Sequence, residues 1–174
     1  MKYLKSFVFF LSIFMFTLQV NAGCIVNRNL DIEIIKPDSL YIDHGNGTVT
    51  DKVTGLMWQK CSLGLSGSNC TTGSASTHTW QAALAVANEN TGSGHMDWRL
   101  PNMKELETLV EIACDRPAIN QTIFPATISE RYWSSTPNVS NVFSHHARGV
   151  IFTYGDSTSF LKKNARYVRL VRGG

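Results

Sequence analysis

The sequence predicts an α+β domain with two helices and a mainly antiparallel sheet, stabilised by disulfides. Three observations carry this reading. Two helical patterns follow one another, over residues 79–88 and 102–114. From residue 132 onward the pattern changes to β-forming runs separated by turn residues, and helices followed by strands is the α+β order. All four cysteines lie beyond an apolar N-terminal run, an even count in a chain that reads as exported.

That run comes first. Lys2 and Lys5 precede apolar residues from Phe7 to Leu18, and Gln19-Val20-Asn21-Ala22-Gly23 follows. A basic start, an apolar middle and small residues at the −3 and −1 positions (Val20 and Ala22) describe a cleaved secretory signal over residues 1–22. The alternative, an uncleaved anchor, meets a run too short and wrongly flanked for a membrane span. Cleavage leaves 152 of the 174 residues, a length that suits one domain with its own core. No second apolar span follows, so the mature chain is expected to be soluble, in the periplasm, at the cell surface or secreted. Ala22-Gly23-Cys24 also allows a lipid at Cys24, although Asn21 stands where an aliphatic residue is usual.

Four cysteines permit three connectivities. Cys61 and Cys70 flank the Gly/Ser stretch Leu63-Gly64-Leu65-Ser66-Gly67-Ser68, which closes easily. Cys61 is therefore paired with Cys70, which leaves Cys24 with Cys114. The second bridge ties an N-terminal arm, residues 23–40, to the end of the second helix. No cysteine spacing matches a zinc site.

Within the arm, Asp31-Ile32-Glu33-Ile34 alternates and reads either as a short edge strand or as irregular chain. Tyr41-Ile42-Asp43, the turn Gly45-Asn46-Gly47 and Thr48-Val49-Thr50-Asp51 make a hairpin. Thr54-Gly55 then turns into Leu56-Met57-Trp58. Residues 43–51 superficially match a calcium loop, but glycines at the third and fifth positions suit the hairpin better. Thr79 caps the first helix, with Trp80, Ala83, Leu84 and Ala87 on one face. Pro101 disfavours helical geometry at Leu100. Asn102 is the next N-cap, and Glu105, three residues later, completes a capping box. Met103, Leu106, Leu109, Val110 and Ala113 share a face, so the second helix is expected to run to Cys114, before Pro117. Ile119 and Phe124 are expected core anchors. Strands are expected at Tyr132-Trp133-Ser134-Ser135, over 144–152, and at Tyr167-Val168-Arg169-Leu170-Val171-Arg172.

Several of these motifs occur in one order: Gly47-Thr48-Val49-Thr50-Asp51, Thr54-Gly55-Leu56-Met57-Trp58, Asp97-Trp98-Arg99-Leu100-Pro101-Asn102, Glu105-Leu106, Pro117-Ala118-Ile119-Asn120, Tyr132-Trp133-Ser134-Ser135 and the terminal Tyr167 to Arg172 run. Together they resemble the DUF1566 family, the C-terminal domain of the Legionella collagen-like adhesin, over residues 41–174. The resemblance implies a C-type-lectin-like fold, distantly related to the formylglycine-generating-enzyme group, with a central sheet of C-terminal strands and chain ends brought close. The adhesin's collagen stalk has no Gly-X-Y counterpart here, so its multivalent binding is not implied. The calcium motifs Glu-Pro-Asn and Trp-Asn-Asp of sugar-binding lectins are also missing from the sequence.

Trp98, Arg99, Pro101, Glu105 and Trp133 read as scaffold: the rings are expected to be buried, and Arg99 to pair with Asp97 or Glu105. Trp58 and Trp80 are expected core aromatics. His145-His146 tempts a metal assignment, but neighbours on a strand point to opposite faces. Gly64-Leu65-Ser66-Gly67 falls one residue short of a nucleophile elbow. Glu105, Glu107 and Glu111 lie on one expected helix, Glu107 and Glu111 as a solvated face. No catalytic residue, metal or cofactor is expected. Charge is unevenly spread. Residues 23–130 hold seven Lys/Arg against twelve Asp/Glu, net −5, whereas residues 131–174 hold seven against Asp156 alone, net +6. The candidate ligand contacts are Arg148, Lys162, Lys163 and Arg166. They suit a sulfated or acidic glycan or an envelope protein; no nucleic-acid partner is expected. A structural subunit of a pilus or adhesin assembly is the alternative, and a hydrolase the third reading.

Overall fold

The computed structural model describes Cys24, Asn29 and residues 31–173. The expected signal segment, residues 1–22, lies outside the described residues. Along the chain run β1 (Tyr41–Asp43), β2 (Thr48–Asp51), β3 (Met57–Gln59), β4 (Leu65–Ser66), β5 (Thr72–Gly73) and β6 (Thr77–His78). Then come α1 (Trp80–Asn88), α2 (Met103–Glu107), β7 (Arg131–Pro137), β8 (His146–Ile151), β9 (Asp156–Leu161), β10 (Arg166–Tyr167) and β11 (Val171–Arg172). This is an α+β fold. One sheet has the order β1-β2-β3-β11, a second the order β6-β10-β7-β8-β9, and β4 and β5 form a small hairpin. All pairings are antiparallel except β10 beside β7. Disulfides join Cys61 to Cys70 and Cys24 to Cys114. With Cys24 held in that bond, its thiol is not free to carry a lipid.

The five-stranded sheet separates two cores. On one face, Met103 and Leu106 of α2 pack with Leu109, Ile119, Phe124, Tyr132, Val150 and Phe152. On the other, Ala83 and Ala87 of α1 pack with Trp98, Leu100, Trp133, Ala147, Phe160 and Val168. Gly149 makes the second face possible: a Cβ there would strike the Tyr132 carbonyl and the Phe160 ring. Trp58, Trp98 and Trp133 are buried, but Trp80 is only half-buried.

Three expectations need correction, and one open choice is settled: residues 31–34 are irregular chain rather than an edge strand. The arm's polar groups find other partners nearby: Lys36 N donates to Glu111 Oε2 (2.5 Å), and Asn120 Nδ2 donates to Lys36 O (2.9 Å) and Asp38 Oδ1 (2.7 Å). The second helix ends at Glu107 rather than Cys114. Its last turn tightens, with Thr108 N, Leu109 N and Val110 N each bonding three residues back, and Val110 then bridges to Ile119. Leu109 and Ala113 are buried all the same, because the turn lies on the same core. Glu111 is not a solvated residue: it is fully buried, and its carboxylate takes Ala113 N (2.9 Å) as well as Lys36 N. The terminal run is two short strands, with residues 168–170 crossing from one sheet to the other.

Arg169 explains that crossing. Its side chain is fully buried, and its guanidinium donates to Gln59 O (3.0 Å), Lys60 O, Ser62 Oγ (3.3 Å) and Thr127 Oγ1 (2.7 Å). Its plane lies 4.9 Å from the Phe124 ring centroid. Burial pushes its pKa down to about 10, so it remains a cation at neutral pH. Tyr132 joins the network through Ser62, with 2.7 Å between their hydroxyls.

The Asp97 to Leu106 stretch is scaffold too. Trp98 Nε1 donates to Gly92 O (2.8 Å), and Trp133 Nε1 to His78 O (2.9 Å). Ser135 N donates to Pro101 O (2.7 Å). The capping box is complete: Glu105 N donates to Asn102 Oδ1 (2.9 Å) and Asn102 N to Glu105 Oε2 (2.7 Å). Arg99 forks onto both Glu105 oxygens at 2.7 Å and also donates to Gly173 O. Asp97 pairs instead with Arg172 (2.7 Å).

Two predictions follow from these contacts. Arg169→Met leaves two carbonyls and two hydroxyls without a charged donor, and should cost on the order of 3 kcal/mol or more in urea unfolding. Arg169→Lys should recover only part of that loss, because an ammonium cannot reproduce the fork. The Arg99 hydrogen bonds hold the Glu105 carboxyl below its ordinary value. A depressed carboxyl stabilises the fold above its unfolded pKa and loses that contribution as pH falls through its folded one. Glu105→Gln should therefore be less stable than the parent by about 1 kcal/mol near neutral pH, and the gap should narrow as the pH falls below the ordinary glutamate value and through the lowered folded one.

Candidate functional site

The β9–β10 turn carries Lys162 and Lys163, and neighbouring segments fix its position. Lys162 N donates to His145 O (2.9 Å), and Trp80 N donates to Lys162 O (3.0 Å). Pairing of β6 with β10 brings the start of α1 to this turn. Lys162 Nζ donates to Ser144 O (2.8 Å) and lies 4.7 Å from the Trp80 ring centroid. Trp80 is held in turn by its Nε1, which donates to Ser134 O (2.8 Å). Lys163 is exposed, with no hydrogen bond or ion pair among the described residues. Two open hollows flank the pair: one of about 440 Å³ against His145 and Leu161, the other of about 570 Å³ against Thr79, Trp80 and Gln81. No Asp or Glu lines either. The result is a cationic ledge with an aromatic wall. Sequence reading placed Trp80 in the core and left His145 out of the contact set. Nothing in their spacing announces the ledge, because it depends on which strands pair.

Arg166 belongs to the same side of the sheet. Its guanidinium lies 5.4 Å from the Phe160 ring centroid, and Arg131 lies 5.9 Å from that same centroid. Burial, and then repulsion from Arg131, lowers the pKa of Arg166. Arg148 is placed elsewhere. Tyr132 stands opposite Val150 and beside Tyr167 in the sheet. Alternation along β8 then puts Arg148 on the Tyr132 face, while Arg166, next to Tyr167, is on the opposite one. The expected single basic face is thus divided by the sheet. Lys162, Lys163 and Arg166 remain on the α1 side; Arg148 lines a separate cleft beyond α2.

The histidine pair also departs from expectation. β8 begins at His146, so strand alternation does not govern His145. The two rings lie 4.3 Å apart rather than on opposite faces, with Phe143 5.3 Å from His146. Among the described residues, no group of three or more His, Cys, Asp or Glu is placed to share a metal ion. At the hairpin once compared with a calcium loop, the Asp43 oxygens accept from Gly45 N (2.9 Å) and Lys60 Nζ (2.7 Å). Among the described residues, no helix is long and apolar enough to cross a membrane.

Two native bridges and a compact pair of sheets define a disulfide-bonded α+β domain suited to an oxidising compartment. The family model described as Lcl C-terminal domain matches residues 47–172, from the first hairpin to the last strand, and the chain belongs to that family. No curated protein matches it.

The ledge should be separable from the fold. A partly exposed cation over an aromatic ring contributes no more than about 1 kcal/mol. Lys162→Gln should therefore lower Tm by no more than about 3 °C, as read by calorimetry of the oxidised protein.

Proposed function

We propose that the domain is a non-catalytic binding module of the bacterial envelope or surface, which takes a sulfated or otherwise acidic glycan on the Lys162–Lys163 ledge. The observation that carries this reading is the pair itself: adjacent cations beside the Trp80 ring, with no acid lining either hollow. A polyanion laid there meets uncompensated charge, and the half-buried ring offers an apolar surface to a sugar. Arg166 adds charge on the same side of the sheet; Arg148 is left out of this contact set because it lies on the other face. Membership of the Lcl C-terminal domain family, the terminal domain of an adhesin-like protein, is consistent with a surface binding module. The disulfides support display in the periplasm, at the cell surface or in secreted form.

A second reading, an accessory subunit that contacts protein within a pilus or adhesin assembly, draws on a different feature. Val139, Val142 and Phe143 are exposed together on the loop between β7 and β8.

The test of the first reading is retention on immobilised heparin at low and rising salt. The oxidised mature protein should be retained at low salt and released as salt screens the contact. Lys162→Ala/Lys163→Ala should elute early while keeping its Tm, and Arg148→Ala should elute with the parent. No retention at low salt, or retention that survives loss of both lysines, contradicts the reading.

A further inference from the structure

We infer that the cleft beneath the β7–β8 loop is a recognition site for the C-terminal carboxylate of a peptide whose last side chain is apolar. The inference develops the protein-binding reading and does not depend on the ledge. The cleft is open, about 640 Å³, and lies on the Tyr132 face of the sheet, within the range of ordinary ligand pockets.

Its walls supply donors and one cation but no anion. Arg148 is exposed, and its guanidinium has no hydrogen bond or ion pair among the described residues. Thr136 Oγ1 accepts from Met103 N (2.9 Å), and Ser159 Oγ accepts from Asn138 Nδ2 (3.0 Å). Each hydroxyl hydrogen is therefore left to donate, and neither has an acceptor among the described residues. Asn138 Oδ1 accepts from Ser140 N (3.0 Å). No Asp or Glu lines the cleft. Such a lining favours an oxyanion, and the planar guanidinium fork matches a carboxylate.

The rim selects the rest of the ligand. Val139 is 90% exposed and Phe143 is half exposed, and both line the cleft. Two large apolar residues beside one cation suit an apolar side chain next to a carboxylate. An acidic sugar would instead bring hydroxyls against them, leaving polar groups without partners. β9, which contributes Thr158 and Ser159, is an edge strand of the five-stranded sheet, so its outer backbone groups are free to meet an extended peptide.

The experiment is fluorescence anisotropy on the oxidised full-length mature protein, with a labelled tetrapeptide ending in valine-leucine, either as the free acid or as the C-terminal amide. The acid should bind at least about tenfold more tightly than the amide. Arg148→Gln should abolish the difference while keeping the parent Tm, Val139→Ser should weaken both forms, and Lys162→Gln should change neither. No binding of the acid up to about 10 mM overturns the proposal. Equal binding of acid and amide does so too, as does a dependence on Lys162 in place of Arg148. Tighter, Arg148-dependent competition by free glucuronate would also overturn it, by assigning the cleft to an acidic sugar.

Discussion

The Arg169 guanidinium is the contact on which the rest of the domain depends. It lies in the segment that passes between the two sheets, fully buried, and it reaches the carbonyls of Gln59 and Lys60 at the end of β3 and the hydroxyls of Ser62 and Thr127. Among the described residues no carboxylate answers its charge. Carbonyl and hydroxyl dipoles and the Phe124 face surround it instead; burial lowers its pKa to about 10, and it stays a cation at neutral pH. A buried cation so placed is costly to misposition, because every alternative leaves it without partners. It fixes the distance between the four-stranded and five-stranded sheets. It also fixes the point at which the chain leaves β10 for β11.

Much of this was legible in the residues and some was not. Local signals read well: the Asn-Gly hairpin, the Thr79 cap and the Asn102–Glu105 capping box depend on a few neighbours and their backbone angles. The apolar spacing from Met103 to Ala113 correctly marked a buried face but overstated the helix. Periodicity reports which side faces the core, and a tight turn followed by a β-bridge at Val110 can present the same residues. The run Tyr167 to Arg172 looked like one strand, because propensity does not reveal that an arginine within it points into the interior. Glu111 looked solvated for a related reason. Its partners, Lys36 N and Ala113 N, are backbone groups, and only one of them is near in sequence.

The basic C-terminal third shows how sheet geometry divides a charge run. Arg148, Lys162, Lys163 and Arg166 looked like one patch when counted along the chain. Strand alternation sends Arg148 to the α2 face and Arg166 to the α1 face, and the turn after β9 places the lysines against Trp80. Two chemically different surfaces result. One is a cationic ledge with an aromatic wall. The other is a donor-lined cleft with an apolar rim, built around a single guanidinium. The proposed acidic-glycan and peptide sites would then lie on opposite sides of the sheet.

That separation is the central claim, and amide chemical-shift mapping of the oxidised mature domain tests it most directly. On titration with a defined sulfated oligosaccharide, perturbations should gather at Thr79, Trp80, Gln81, His145 and residues 161–166. Arg148, Thr158 and the loop carrying Val139 and Val142 should remain unmoved. Perturbations centred on Arg148 and that loop, or spread evenly over every basic residue, would contradict it.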